Sequence, residues 1–230
     1  MKGKADKETA LDLRVDIVSD VICPWCYIGK RRFEAALAQV GSRHRVAVTW
    51  RPFQLNPGMP AEGLPRDEYL RIKFGSPERI CEIYDTIVEA GAAEGIGFAF
   101  ERIRRIPNTL DTHRLIRLGQ SLGHQDAVVE AVFRAYFVEG KDIGNLETLI
   151  GIAAECGIDA REAQRYLAGD ADRELVQGED DAARSMGIQG VPCFVFEEQY
   201  PMSGAHEPAV LGAAFDRVAE LVAPPTAKSA

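Results

Sequence analysis

The chain has 230 residues, 46% hydrophobic and 27% charged, with a formal net charge of −8. That acidic balance argues against a nucleic-acid partner, since phosphate recognition needs clustered Lys and Arg, and the two basic runs, Lys30–Arg32 and Arg102–Arg105, read as solvated surface. No apolar run approaches the roughly 20 residues that span a bilayer, so no membrane partner is expected. The polar stretch 1–10 carries no apolar segment behind its lysines, so the expected location is the cytoplasm.

Five cysteines, Cys23, Cys26, Cys81, Cys156 and Cys193, are an odd number and scattered apart from one close pair. A secreted disulfide framework is therefore not expected. In a reducing compartment a close pair points to redox catalysis or to metal binding.

Leu11 to Asp20 alternates apolar and polar residues with β-branched character, which predicts a strand. Cys23-Pro24-Trp25-Cys26 follows at once, and Tyr27 to Val40 is helical in pattern. Pro24 suits the first helical turn, where its missing N–H costs nothing, and this puts Cys23 at or next to the N-cap. A second strand is expected from Arg45 to Gln54, completing a βαβ unit.

Residues 56–65 hold three prolines and two glycines, a loop. Helices follow. Ser76-Pro77-Glu78 is a helix start. Val128, Val129, Val132, Phe133, Tyr136 and Phe137 form one apolar stripe, and Leu146, Leu149, Ile150, Ala153 and Ala154 another. Asp159 with Glu162 has capping-box spacing. Met186 to Pro192 is a turn-rich approach to a short strand, Cys193–Phe196. Residues 197–199 turn the chain into a return strand at Tyr200–Ser203, and Glu207-Pro208 opens a closing helix through Val222.

The order is thus βαβ, a long helical stretch, then ββα. It predicts an α/β fold in which residues 11–65 and 186–223 close into one sheet domain. Residues 66–185 form an inserted helical domain, and 1–10 and 224–230 are flexible tails.

The close pair decides the chemistry. Two thiols two residues apart can join within one helical turn. A cysteine at a helix N-terminus faces unpaired N–H groups that favour the thiolate. Cys23 is then the attacking thiol and Cys26, one turn in, the resolving thiol. A zinc site would need two more ligands, and His44, His113, His124 and His206 stand at no ligand spacing, so no metal is expected. Cys81 and Cys156 read as packing residues within helical stripes. Cys193 is either a small apolar residue of the sheet or a third thiol near the pair. Trp25 either shapes a substrate surface or shields the sulfurs.

The run Ser19–Lys30 resembles the active-site segment of the DsbA family, in particular its FrnE-like subgroup, and Gly187–Phe196 resembles that family's cis-proline strand. The resemblance extends from Leu13 to Val222. It implies a thioredoxin-like fold with a helical insertion, a cis Val191–Pro192 bond beside the disulfide, and substrate backbone held by Val191 and Pro192. A bulky apolar residue is the family's usual choice where this chain has Cys193. Two non-redox relatives, the 2-hydroxychromene-2-carboxylate isomerases and the kappa-class glutathione transferases, resemble the chain outside the motif. Ile106-Pro107-Asn108-Thr109 is similar to theirs, which makes Asn108 a candidate substrate contact. Those groups usually carry serine where this chain has Cys23.

The expected function is a thiol–disulfide oxidoreductase or disulfide isomerase acting on protein or small-molecule thiols, as monomer or homodimer. No tightly bound cofactor is expected, and glutathione is the candidate co-substrate. The alternatives are a glutathione-dependent isomerase or transferase of aromatic or polyketide-like compounds, and a helical chaperone module with incidental thiols.

Overall fold

The computed structural model describes residues 11–41 and 43–223. The expected tails, 1–10 and 224–230, lie outside the described residues.

Strand β1 (Leu11–Ser19) turns Leu13, Val15 and Ile17 into the main core while Arg14 and Asp16 face the other way, the two-residue alternation of a pleated strand. Helix α1 (Pro24–Val40) follows the motif, and β2 (His44–Pro52) lies parallel to β1, from Leu11 opposite His44 to Ser19 opposite Pro52. Strands β3 (Leu64–Pro65) and β4 (Arg105–Ile106) pair in a separate two-stranded sheet. Between and beyond them run α2 (Arg66–Phe74), α3 (Pro77–Ala93), α4 (Leu110–Ser121), α5 (Gln125–Phe137), α6 (Leu146–Glu155), α7 (Ala160–Ala168) and α8 (Arg173–Ser185). The chain returns to the sheet with β5 (Cys193–Phe196) and β6 (Tyr200–Ser203), and closes with α9 (Pro208–Val222). The four-stranded sheet has the order β2-β1-β5-β6, with β5 antiparallel to both neighbours.

All four residues of β5 are buried, because both faces of the sheet are covered. Phe194 and Phe196 point to one face and meet α1 and α9: Phe33 stacks on Phe194 at 5.3 Å, and Phe196 meets Phe215 edge-on at 5.1 Å. Cys193 and Val195 point to the other face, among Val18, Phe53, Ala183 and Ile188.

The helical segment shares its core with the sheet. One apolar cluster runs from Leu13 and Ile17 through Tyr27 and Phe33 to Leu115, Val132, Phe133 and Leu167. Each large side chain buried in it contributes about 1.5–3 kcal/mol. Expected helix starts take their caps: Ser76 accepts from Arg79 N–H and Asp159 from Glu162 N–H. Within α7 and α4 a different device operates. Arg114 is fully buried, and its guanidinium donates to the carbonyls of Tyr166 and Leu167 in the last turn of α7 and of Gly169 and Ala171 in the turn that follows.

Two expectations need correction. The basic run Lys30–Arg32 is a seam rather than solvated surface. Lys30 is buried on α1 and pairs with Glu34, with Asp126 at 3.3 Å and with Glu130 at 3.3 Å, while Arg32 pairs with Glu94 and Glu207 at 2.7 Å each. Cys81 is exposed rather than packed. The inward stripe of α3 runs through Ile80, Ile83, Tyr84, Ile87 and Gly91, and Cys81 lies one residue, about 100°, off it.

Candidate active site: two thiols beside an apolar cleft

The site forms where β1 ends. Cys23 N–H donates to Asp20 O at 3.0 Å, a tight turn that swings the chain off the sheet. Cys23 is the N-cap of α1, with extended backbone (φ −92°, ψ 113°) and Pro24 directly after it. Cys26 N–H donates to Cys23 O at 3.0 Å, placing Cys26 one turn inside the helix.

The pair is asymmetric. Cys23 is 7% exposed and Cys26 1%. Cys23 is held below the ordinary thiol range, first by hydrogen bonding from the Cys26 thiol, against opposing burial and the negative charge of Asp20. Cys26 is pushed well above that range by burial, reinforced by its neighbour Cys23, with Ser19 acting weakly the other way. The outer sulfur is therefore the more readily ionised of the two, and the inner one holds its proton more tightly. This is the distribution that a helix N-terminus and a dry interior impose on two adjacent thiols.

The Val191–Pro192 peptide is cis, and it faces the outer thiol: Cys23 Sγ lies 3.6 Å from Val191 O. The Pro192 ring rests against α1 at Gly29, where a Cβ would lie only 2.9 Å from Pro192 Cγ. Gly29 is thus the position that lets this loop approach α1, and a glycine in the middle of a helical pattern is the signal that could have found it.

Beneath the motif lies a buried acid. Asp20 is fully buried, and its Oδ2 accepts from Leu55 N–H at 2.7 Å. Its Oδ1 is 3.4 Å from Nε2 of buried His113 on α4, and neither atom has a hydrogen-bond partner among the described residues. Sequence reasoning missed Asp20 and His113, which stand 93 positions apart and meet only through packing.

Cys23, Pro24 and Trp25 open onto a cleft of about 220 Å³ between the motif and α2, α3 and α5. Its floor is apolar, with Leu70, Ile87, Phe100, Ile103 and Phe137 among the lining residues. Trp25, half-buried, is one of the residues lining this cleft. Asn108 does not line this cleft: its amide donates to Met59 O at 2.7 Å and accepts from Leu110 N–H at 3.0 Å, tying two loops together. Cys193 is fully buried, accepts from Ser203 Oγ at 3.6 Å, and belongs to the opposite face of the sheet from Cys23 and Cys26. It is a small apolar residue of the sheet, with its thiol pushed up by burial.

Comparison with known proteins bears on this geometry. A model of the DSBA-like thioredoxin domain matches residues 14–216. The chain is 33% identical to a probable DsbA oxidoreductase from Streptomyces coelicolor, with 95% of this chain and 94% of that chain covered and a TM-score of 0.85. At 18% identity it resembles in fold a 2-hydroxychromene-2-carboxylate isomerase, covering 91% of this chain and 100% of that one with a TM-score of 0.68. At 21% identity it resembles in fold the cytosolic disulfide reductase DsbM from Pseudomonas aeruginosa, solved with GSH, covering 90% and 96% with a TM-score of 0.61.

Proposed function

We propose, for a chain that belongs to the DSBA-like thioredoxin domain family, that Cys23 and Cys26 cycle between dithiol and disulfide, with Cys23 attacking and Cys26 resolving. The observation that carries this reading is the asymmetry of the pair: a more readily ionised thiol at the N-cap beside a cleft, and one buried behind it that holds its proton more tightly. In the reducing direction the Cys23 thiolate attacks one sulfur of a substrate disulfide. The substrate S–S bond breaks, one thiolate leaves, and a mixed disulfide remains on Cys23. Cys26 then gives up its proton and attacks the Cys23 sulfur, releasing the second thiolate and leaving the Cys23–Cys26 disulfide. Two electrons have passed from protein to substrate, and the oxidising direction is the reverse.

A lowered thiol pKa makes Cys23 both a ready nucleophile and a good leaving group, so mixed disulfides on it turn over in either direction. Val191 O, 3.6 Å from Cys23 Sγ, lies where the backbone of an extended substrate could pair beside the sulfur. Glutathione is the proposed small-molecule partner in this cycle.

Replacing Cys26 with Ala is the direct test. Mixed disulfides should then accumulate on Cys23 and be visible by mass spectrometry under non-reducing conditions. Adducts that instead build up on Cys26 in a Cys23→Ala variant would reverse the assignment.

The apolar cleft at Cys23 favours a second reading, a glutathione-dependent isomerase or transferase of an aromatic compound. Turnover of hydroxychromene carboxylate that survives Cys26→Ser and exceeds disulfide reduction would make that reading the right one.

A further inference from the structure

The wall of the cleft facing the motif is built by α2 and α3, and it carries charge that its surroundings do not neutralise. Arg66, at the start of α2, lines the cleft with its guanidinium 4.9 Å from the centre of the Tyr84 ring and 6.0 Å from that of Phe100. Lys73, two turns further on, also lines it, donating to Tyr69 OH at 2.6 Å, with Tyr69 in turn donating to Asn56 Oδ1 at 3.1 Å. Among the described residues neither cation lies within ion-pair distance of a carboxylate. Other described cations, such as Arg71 and Arg79, also lack a carboxylate partner, but Arg66 and Lys73 are the ones that line the cleft beside Cys23. Aromatic rings and phenols hold these two in place, and no carboxylate among the described residues pairs with them.

Size and polarity narrow the ligand. An apolar cavity of about 150 Å³ accepts benzene, so about 220 Å³ beside Cys23 accommodates one substituted aromatic ring. Phe74, Phe100 and Phe137 supply apolar or ring-stacking contact for it.

We infer that the cleft selects thiol and disulfide substrates with an apolar, ring-sized body and a carboxylate, the body lying on the aromatic floor and the carboxylate on Arg66 and Lys73. This deepens the exchange reading above and rests on it. Reaction takes place at Cys23: the substrate S–S bond breaks, one new bond forms between Cys23 Sγ and the sulfur of an R–S group, and RS⁻ departs. Attack by Cys26 on the Cys23 sulfur then releases the second RS⁻, with the two electrons coming from the protein dithiol.

The test compares two aryl disulfides against the reduced protein by stopped-flow absorbance: dithiobis-nitrobenzoate, which is dianionic, and dithiodipyridine, which is neutral. The quantity read is the ratio of their second-order rate constants. Arg66→Gln should lower the anionic-to-neutral ratio about tenfold, the loss expected for one charge-assisted contact. Arg66→Lys should restore part of it, and added salt should lower the wild-type ratio. If Arg66→Gln disturbs the fold, as judged by circular dichroism, Lys73→Gln carries the test, since Lys73 is exposed on α2. A ratio unchanged in both variants, or equal losses for both probes, overturns the inference. Failure of the exchange reading itself looks different: neither probe would react faster with wild type than with Cys23→Ser.

Discussion

Adding one methyl group at Gly29 tests how tightly the loop that faces Cys23 is held. An alanine Cβ there would stand 2.9 Å from Pro192 Cγ and 3.5 Å from Phe194 Cζ. Carbon–carbon contact is favourable near 3.5–4.0 Å, so the first distance is short by more than half an ångström. The neighbour is a pyrrolidine ring, with no free torsion to swing aside, and Phe194 behind it is fully buried. Gly→Ala within a helix gains up to about 1 kcal/mol from backbone entropy. Forcing a methyl into a filled contact costs about 1–3 kcal/mol. The expected balance for Gly29→Ala is therefore a loss of about 1 kcal/mol, read from urea unfolding of the dithiol form as a lower midpoint at unchanged slope. Because Val191 O moves with the ring, alkylation of Cys23 by iodoacetamide should also change rate. A gain of about 1 kcal/mol with unaltered Cys23 reactivity would refute the reasoning, because it would mean that the loop yields freely and does not depend on α1 for its place.

Arg114→Met keeps the aliphatic volume but removes the donors to four carbonyls in the last turn of α7 and the turn after it. It should cost about 3–5 kcal/mol in chemical unfolding, and a loss under about 1 kcal/mol would show that water replaces the guanidinium. Asp20→Asn keeps an acceptor for Leu55 N–H while removing the negative charge that raises the Cys23 pKa. Cys23 alkylation rises with pH as the thiolate forms, and in this variant the rise should occur at lower pH than in wild type; a shift to higher pH would contradict the electrostatic account.

The sequence made the sheet legible because its signals are local. The alternation of β1, the Pro24 start of α1 and the caps at Ser76 and Asp159 each depend on a few adjacent residues, and each appears where expected. Strands β3 and β4 were unreadable, since two residues carry no period. Cys81 was misplaced by a single position, because adjacent residues of a helix differ by about 100° and the apolar stripe of α3 passes through Ile80, not Cys81. In the site, Cys23 and Cys26 were visible from spacing alone. Arg66, Asp20 and His113 were not, because Arg66 takes its place where α2 meets α3, and Asp20 and His113 theirs where the end of β1 meets α4, and no short window of sequence contains either meeting. Lys30 failed the opposite way: its local context is basic, but its partners Asp126 and Glu130 come from α5, nearly a hundred residues on.

A run of rings joins the thiols to the charged wall of the cleft. Tyr27, the residue after Cys26, stacks on Phe133 at 5.0 Å and meets Phe98 edge-on at 6.2 Å; Phe98 stacks on Phe100 at 4.8 Å, and Phe100 meets Tyr84 at 4.5 Å, beneath Arg66. This run limits how the protein can acquire new substrates. An insert that could be exchanged whole would let evolution or an engineer transplant a recognition surface from one relative to another. Here a transplant would strip Tyr27 of its partners and unsettle the helix that carries both sulfurs. On the selectivity proposed above, altered specificity comes by single replacements at Arg66, Tyr69 or Lys73, with the ring stack left in place as scaffold.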